Sequence, residues 1–144
     1  MRKNTIRKEY LAKRMELPEI EWKAMNRKLI HGFLQIKLPE INNYLSYAAF
    51  SEKKEFDPSA LDEILQHRNA SINKALPVIN PATVSMNACI TGKNMSMQVN
   101  KYGIPEPLSS EVIAPALLDL VIVPLLAFDK NGYRVGFGKG YYDR

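Results

Sequence analysis

Leu117-Leu118-Asp119-Leu120-Val121-Ile122-Val123-Pro124-Leu125-Leu126-Ala127-Phe128, followed after a short turn by Arg134-Val135-Gly136-Phe137-Gly138-Lys139-Gly140-Tyr141-Tyr142-Asp143-Arg144, is the stretch on which the fold turns. The apolar run is too short to span a bilayer, and Asp119 and Pro124 interrupt it. It reads as a buried strand over about 118–123. A strand feeding a glycine-rich turn that carries a lysine is how α/β proteins hold phosphate. Glycine lets backbone N–H groups approach an anion closely, and lysine adds a mobile positive charge. Asp129-Lys130-Asn131-Gly132, between the two segments, is a turn signal.

The motif is specific only in context. No Ser or Thr follows the lysine, so it is not a Walker A loop, and the Gly-x-Gly-x-x-Gly dinucleotide fingerprint is absent. On spacing alone, phosphate binding and a plain structural turn stand level. Arg134 and Lys139 favour phosphate, and Asp143 supplies an acid able to hold Mg²⁺ against phosphate oxygens. Of Tyr141 and Tyr142, one can pack in the core while the other lines a pocket.

Upstream, residues 3–16 and 18–36 read as two helices, with Pro18 opening the second. Lys3, Arg7, Tyr10 and Arg14 share one helical face, a basic stripe that meets solvent or an anion. Ile6, Leu11, Trp22, Met25, Leu29, Phe33 and Ile36 can supply the apolar side. Residues 41–50 read as a first strand and Ser51-Glu52-Lys53-Lys54-Glu55 as a charged loop. Asp57-Pro58-Ser59 opens a helix ending near Arg68. Shorter strands follow at about 75–79, 83–90 and 95–99. Pro77 and Pro81 confine the first of these to an edge or a strand end. Residues 100–107 read as an irregular loop, because Pro105 and Pro107 flank Glu106. The helix–strand order points to an α/β architecture.

With 144 residues, 46% of them apolar, one core and one domain are expected. No apolar leader and no spanning segment is apparent, and a single cysteine, Cys89, fits a buried structural thiol in a reducing cytoplasm. The net charge of +5 is unevenly placed: residues 1–40 hold ten Lys/Arg against five Asp/Glu, and the remainder is balanced. Such an excess suits an anionic ligand. A nucleic-acid role is disfavoured, since aromatics are not interleaved with the basic residues. His31 and His67 lack matching ligand partners, and Met86, Met95 and Met97 read as core filler. Glu55 and Glu106 sit in loops beside strand ends, where α/β sheets bind ligands, although each alone is an ordinary surface acid.

Asp119 to Asp129 with Gly132 to Asp143 strongly resembles the 5-formyltetrahydrofolate cyclo-ligase family, also called methenyltetrahydrofolate synthetases. Lys3-Asn4-Thr5-Ile6-Arg7 matches that family's N-terminal Lys-x-x-x-Arg element, Glu55 matches the acid after the first strand, and Asn100 to Pro107 matches its Asn-x-x-Gly-Ile-x-Glu-Pro loop. The resemblance implies an ATP- and Mg²⁺-dependent ligase of folate metabolism, acting on 5-formyltetrahydrofolate with or without a polyglutamate tail. It implies a nucleotide site from Lys3, Arg7, Arg134, Val135, Gly136, Phe137, Gly138, Lys139, Gly140, Tyr141 and Tyr142. Lys139 and Arg134 would act on the transferring phosphate, and Asp143 would ligate Mg²⁺. Glu55 with Phe137, Gly138, Lys139, Gly140 and Tyr141 would contact folate.

The family pattern runs on past Asp143 into a further strand and helix bearing a second metal-associated acid. The fold implied is therefore a three-layer α/β/α, Rossmann-like sheet of the cyclo-ligase type, missing its C-terminal strand and helix, in one domain over 1–144. A cytoplasmic protein, monomeric or weakly self-associating, is expected. Two alternatives stay open: a catalytically inactive homologue that only binds folate or nucleotide, and an alignment that places the folate acid at Glu52.

Overall fold

The computed structural model describes residues 2–92, 95–108 and 111–143. Helices α1 (Lys3–Glu16) and α2 (Glu19–Leu34) lead into β1 (Asn43–Leu45), α3 (Ser59–Arg68), β2 (Asn73–Asn80) and β3 (Ser85–Ile90). Short strands β4 (Met97–Val99), β5 (Pro105–Pro107), β6 (Val112–Ile113), β7 (Leu120–Val121), β8 (Ala127–Phe128) and β9 (Arg134–Val135) complete the chain. The main sheet has the order β6-β3-β2-β1-β7. β1 runs parallel to β2 and β7, whereas β2–β3 and β3–β6 are antiparallel. The α/β class read from the sequence is the class observed.

The core follows from the period-two alternation of β1. Tyr44 points to one face and meets Ile41 and Leu65, with Phe33 of α2 and Leu120 packed on them. Leu45 points to the other face and meets Ala75, Ala88 and Ile113, with Met86 and Tyr142 alongside. Cys89 is buried as a free thiol. Helix α1 buries no residue fully and packs against β8, β9 and the 3-10 turn Ser51–Lys53.

Several elements differ from the sequence reading. The first strand shrinks from 41–50 to Asn43–Leu45, because the chain turns away after Ser46 to form the 3-10 turn. β2 is central rather than an edge, yet it holds Pro77. Ala75 O accepts from Ser46 N–H, and Ile79 N–H donates to Glu106 Oε1, so Pro77 between them faces the same side, beyond the end of β1. No ladder bond is lost there, which is how proline is tolerated. The loop 100–107 contains a short strand, Pro105–Pro107, paired antiparallel with Met97–Val99. Met97 is 44% exposed and does not fill the core. The turn at 129–132 closes a hairpin between β8 and β9, with Gly132 at φ +85°.

Candidate functional site

A cavity of about 370 Å³ opens where α1, the 50–55 segment, the 100–107 segment and the C-terminal turn converge. The glycine turn forms one wall. Gly138 and Gly140 take φ values of +88° and +74°, which only glycine adopts without strain. Arg7 reaches across from α1 and donates Nε–H to Gly136 O at 3.0 Å. A Cβ on Gly138 would stand 2.7 Å from the Arg7 guanidinium carbon, so the middle glycine of the turn is fixed by the arginine as well as by φ. Among the described residues Gly138 N–H takes no partner within the chain. The turn therefore brings an unused donor beside fixed cations, an arrangement suited to phosphate oxygens.

Lys3, Arg7, Arg134 and Lys139 all line this cavity. Lys139 is exposed, with its ammonium 5.7 Å from the Tyr102 ring centroid. Arg134 donates weakly to Tyr142 O and Asp143 Oδ1, each at 3.4 Å. Asp143 is exposed on the same wall. Mg²⁺ is commonly held by one or two carboxylates completed by phosphate oxygens and water. An exposed carboxylate beside the cationic turn fits that pattern. Among the described residues no group of three or more His, Cys, Asp or Glu gathers, so no all-protein metal cage exists among them.

Glu55 is placed by a chain of local bonds. Lys54 sits in the left-handed region at φ 47°. Its Nζ donates to Met15 O at 2.9 Å and Leu17 O at 2.6 Å, closing the end of α1. Trp22 Nε1–H donates to Lys54 O at 2.9 Å. With that residue pinned, Glu55 turns inward to 6% exposure, and its Oε2 accepts Phe50 N–H at 2.7 Å. Burial pushes its carboxyl pKa up, against the pull of Phe50 N–H and the charges of Arg14 and Lys53. Glu52 is exposed and lies off the cavity wall.

All the residues assigned to the site from the sequence lie on this one wall system: Lys3, Arg7, Glu55 and Arg134 to Asp143. Tyr142 reaches from it into the core, and Tyr141 stands on the cavity side, toward Tyr102. Glu106 also lines the cavity, 5% exposed, accepting from Ile79 N–H at 2.9 Å and Asn100 Nδ2 at 3.0 Å. Sequence reasoning missed the roles of Arg14, Trp22 and Lys54. Arg14 carried a signal, since it falls on the same helical face as Lys3 and Arg7. Trp22 and Lys54 carried none, because their bonds are long-range.

The family model for 5-formyltetrahydrofolate cyclo-ligases matches residues 1–144. A 5-formyltetrahydrofolate cyclo-ligase of Mycoplasma genitalium is 30% identical over 99% of this chain and 74% of its own length. Among solved structures, a 5,10-methenyltetrahydrofolate synthetase of Aquifex aeolicus shares 33% identity with a TM-score of 0.76, covering 100% of this chain and 71% of that one. The Mycoplasma pneumoniae 5,10-methenyltetrahydrofolate synthetase shares 29% identity with a TM-score of 0.69, covering 100% and 76%. The fold is thus that of an α/β ligase. The chain belongs to the 5-formyltetrahydrofolate cyclo-ligase family and spans about three quarters of the length of its Mycoplasma relatives.

Proposed function

We propose that this chain binds ATP and 5-formyltetrahydrofolate in the single cavity between α1 and the glycine turn, and joins them in an ATP-dependent ring closure. In that reaction the formyl oxygen takes the γ-phosphoryl group. The second folate nitrogen then attacks the activated carbon, and phosphate leaves to give 5,10-methenyltetrahydrofolate and ADP. The observation that carries the reading is the continuity of the cavity: a cationic glycine turn at one wall and the buried Glu55 carboxylate at another.

Each part has a physical task. Arg7, Arg134 and Lys139 offset the charge of the phosphoryl group in transit, and Gly138 N–H adds a donor that needs no reorganisation. Glu55 accepts N–H groups of the folate heterocycle, which orients the formyl oxygen toward the phosphate. Phe137 and Tyr141 supply apolar contact for the ring system. Asp143 would hold Mg²⁺, which when bound draws charge from the phosphate oxygens. The protein is expected to act in the cytoplasm, on folate with or without a polyglutamate tail.

Replacing Lys139 by alanine tests the assignment. Its side chain is exposed, so the fold should be unaffected, while turnover falls by about 100-fold or more. A Lys139→Ala variant with wild-type turnover contradicts the phosphate role.

A further inference from the structure

Arg14 is the anomaly of this site. It lies on α1, about two helical turns beyond Arg7 on the same face. Its Nε and Nη2 are buried with no hydrogen-bond partner. Its guanidinium carbon stands 5.6 Å from the Phe137 ring centroid, a cation–π distance. Burying two guanidinium nitrogens without partners opposes folding, and proteins normally pair such groups or use them. The opposite charge acting most on Arg14 is Glu55. No direct ion pair forms between them, and Glu55 Oε2 is instead held by Phe50 N–H.

We infer that Arg14 is a positioning residue: its guanidinium, unpaired at two buried nitrogens and stacked on Phe137, stands as the counter-charge to the buried Glu55 carboxylate that is to receive folate, at a cost in stability. The inference rests on the folate reading above. Glu55 is faced by Arg14 from α1, Lys53 from the 3-10 turn, Tyr47 from the segment after β1, and Tyr142 from the C-terminal turn. Burial raises both phenols, which stay neutral, and Asp57 adds to the effect on Tyr47. Arg14 and Lys53 are therefore the cations acting on the carboxylate, and they flank Phe137, the Lys53 ammonium lying 5.8 Å from its centroid. One ring of the phosphate turn thus touches both charges that govern the folate acid.

The test is binding of 5-formyltetrahydrofolate across about pH 5 to 8 to wild type, Arg14→Met and Arg14→Lys, with Tm measured in parallel. Loss of the nearby charge lets burial push Glu55 further up. The acid limb of affinity in Arg14→Met should then move to higher pH by about one unit, making binding on that limb about tenfold weaker. Affinities should converge above the limb. Tm should hold or rise at pH below the limb, where Glu55 is neutral and a partly buried unpaired charge has gone, and should lose that gain above it, where the Glu55 carboxylate lacks its counter-charge. Arg14→Lys should bring the limb back. An unmoved limb in Arg14→Met overturns the inference. So does a fall in Tm at pH below the limb, or failure to fold, which would make Arg14 a scaffold residue. Absence of folate binding by the wild type is a different failure, that of the folate reading itself.

Discussion

Gly136, Gly138 and Gly140 look equivalent in the sequence, yet the structure separates them. Gly138 combines a left-handed φ with Arg7 pressed against its Cα, whereas a Cβ at Gly136 would meet only Pro124 O at 3.9 Å. Gly138→Ala should displace Arg7 and weaken ATP binding by about tenfold or more, the effect of roughly one lost charge-assisted contact. Gly136→Ala should bind nucleotide nearly as wild type. Equal losses in nucleotide titrations would show that Arg7 is not what makes Gly138 special. At this scale the cationic positions were legible because Lys3, Arg7, Arg134 and Lys139 fall within short motifs. Arg14 looked like part of a solvated stripe, and only packing reveals that its nitrogens are buried.

The helices were readable in outline, because periodicity and Pro18 mark them. The strands were less so: β1 keeps three residues of the ten expected, and the β8–β9 hairpin follows from turn geometry the apolar run conceals. What positions Glu55 is a joint between elements, with Trp22 of α2 holding the left-handed Lys54 and Lys54 capping α1. Trp22→Phe keeps an aromatic ring but removes the Nε1–H hydrogen bond and part of the indole, at roughly 1 to 2 kcal/mol of stability. It should raise KM for folate more than KM for ATP; equal changes in both would mean the joint serves the scaffold alone. Asp119 joins β7 to the start of β1 by accepting Asn42 N–H at 2.8 Å and Asn43 N–H at 2.9 Å. Those bonds depress its carboxyl pKa. Its contribution is therefore full above the ordinary aspartate pKa and lost as pH falls through the depressed value. Asp119→Ala should lower Tm at neutral pH, and the gap should close in strong acid. A gap that persists unchanged there would contradict this account.

At the scale of the whole molecule, the parallel pairs β2–β1–β7 bring the 50–55 segment and the C-terminal turn to one end of the sheet, while α1 closes the cavity from the side. Residues 3, 55 and 143 meet there although nothing local in the sequence joins them. The family resemblance supplied that proximity at the sequence level, and the register of β1 between β2 and β7 accounts for it physically. The central claim is that this shared cavity carries both substrates of one reaction. It is tested most directly by following the ultraviolet absorbance of 5,10-methenyltetrahydrofolate when this chain is mixed with 5-formyltetrahydrofolate, ATP and Mg²⁺. The account predicts a rise that requires all three and disappears in Lys139→Ala. A folded chain that binds folate and nucleotide but gives no rise would contradict it, and would make the cavity a binding site without turnover.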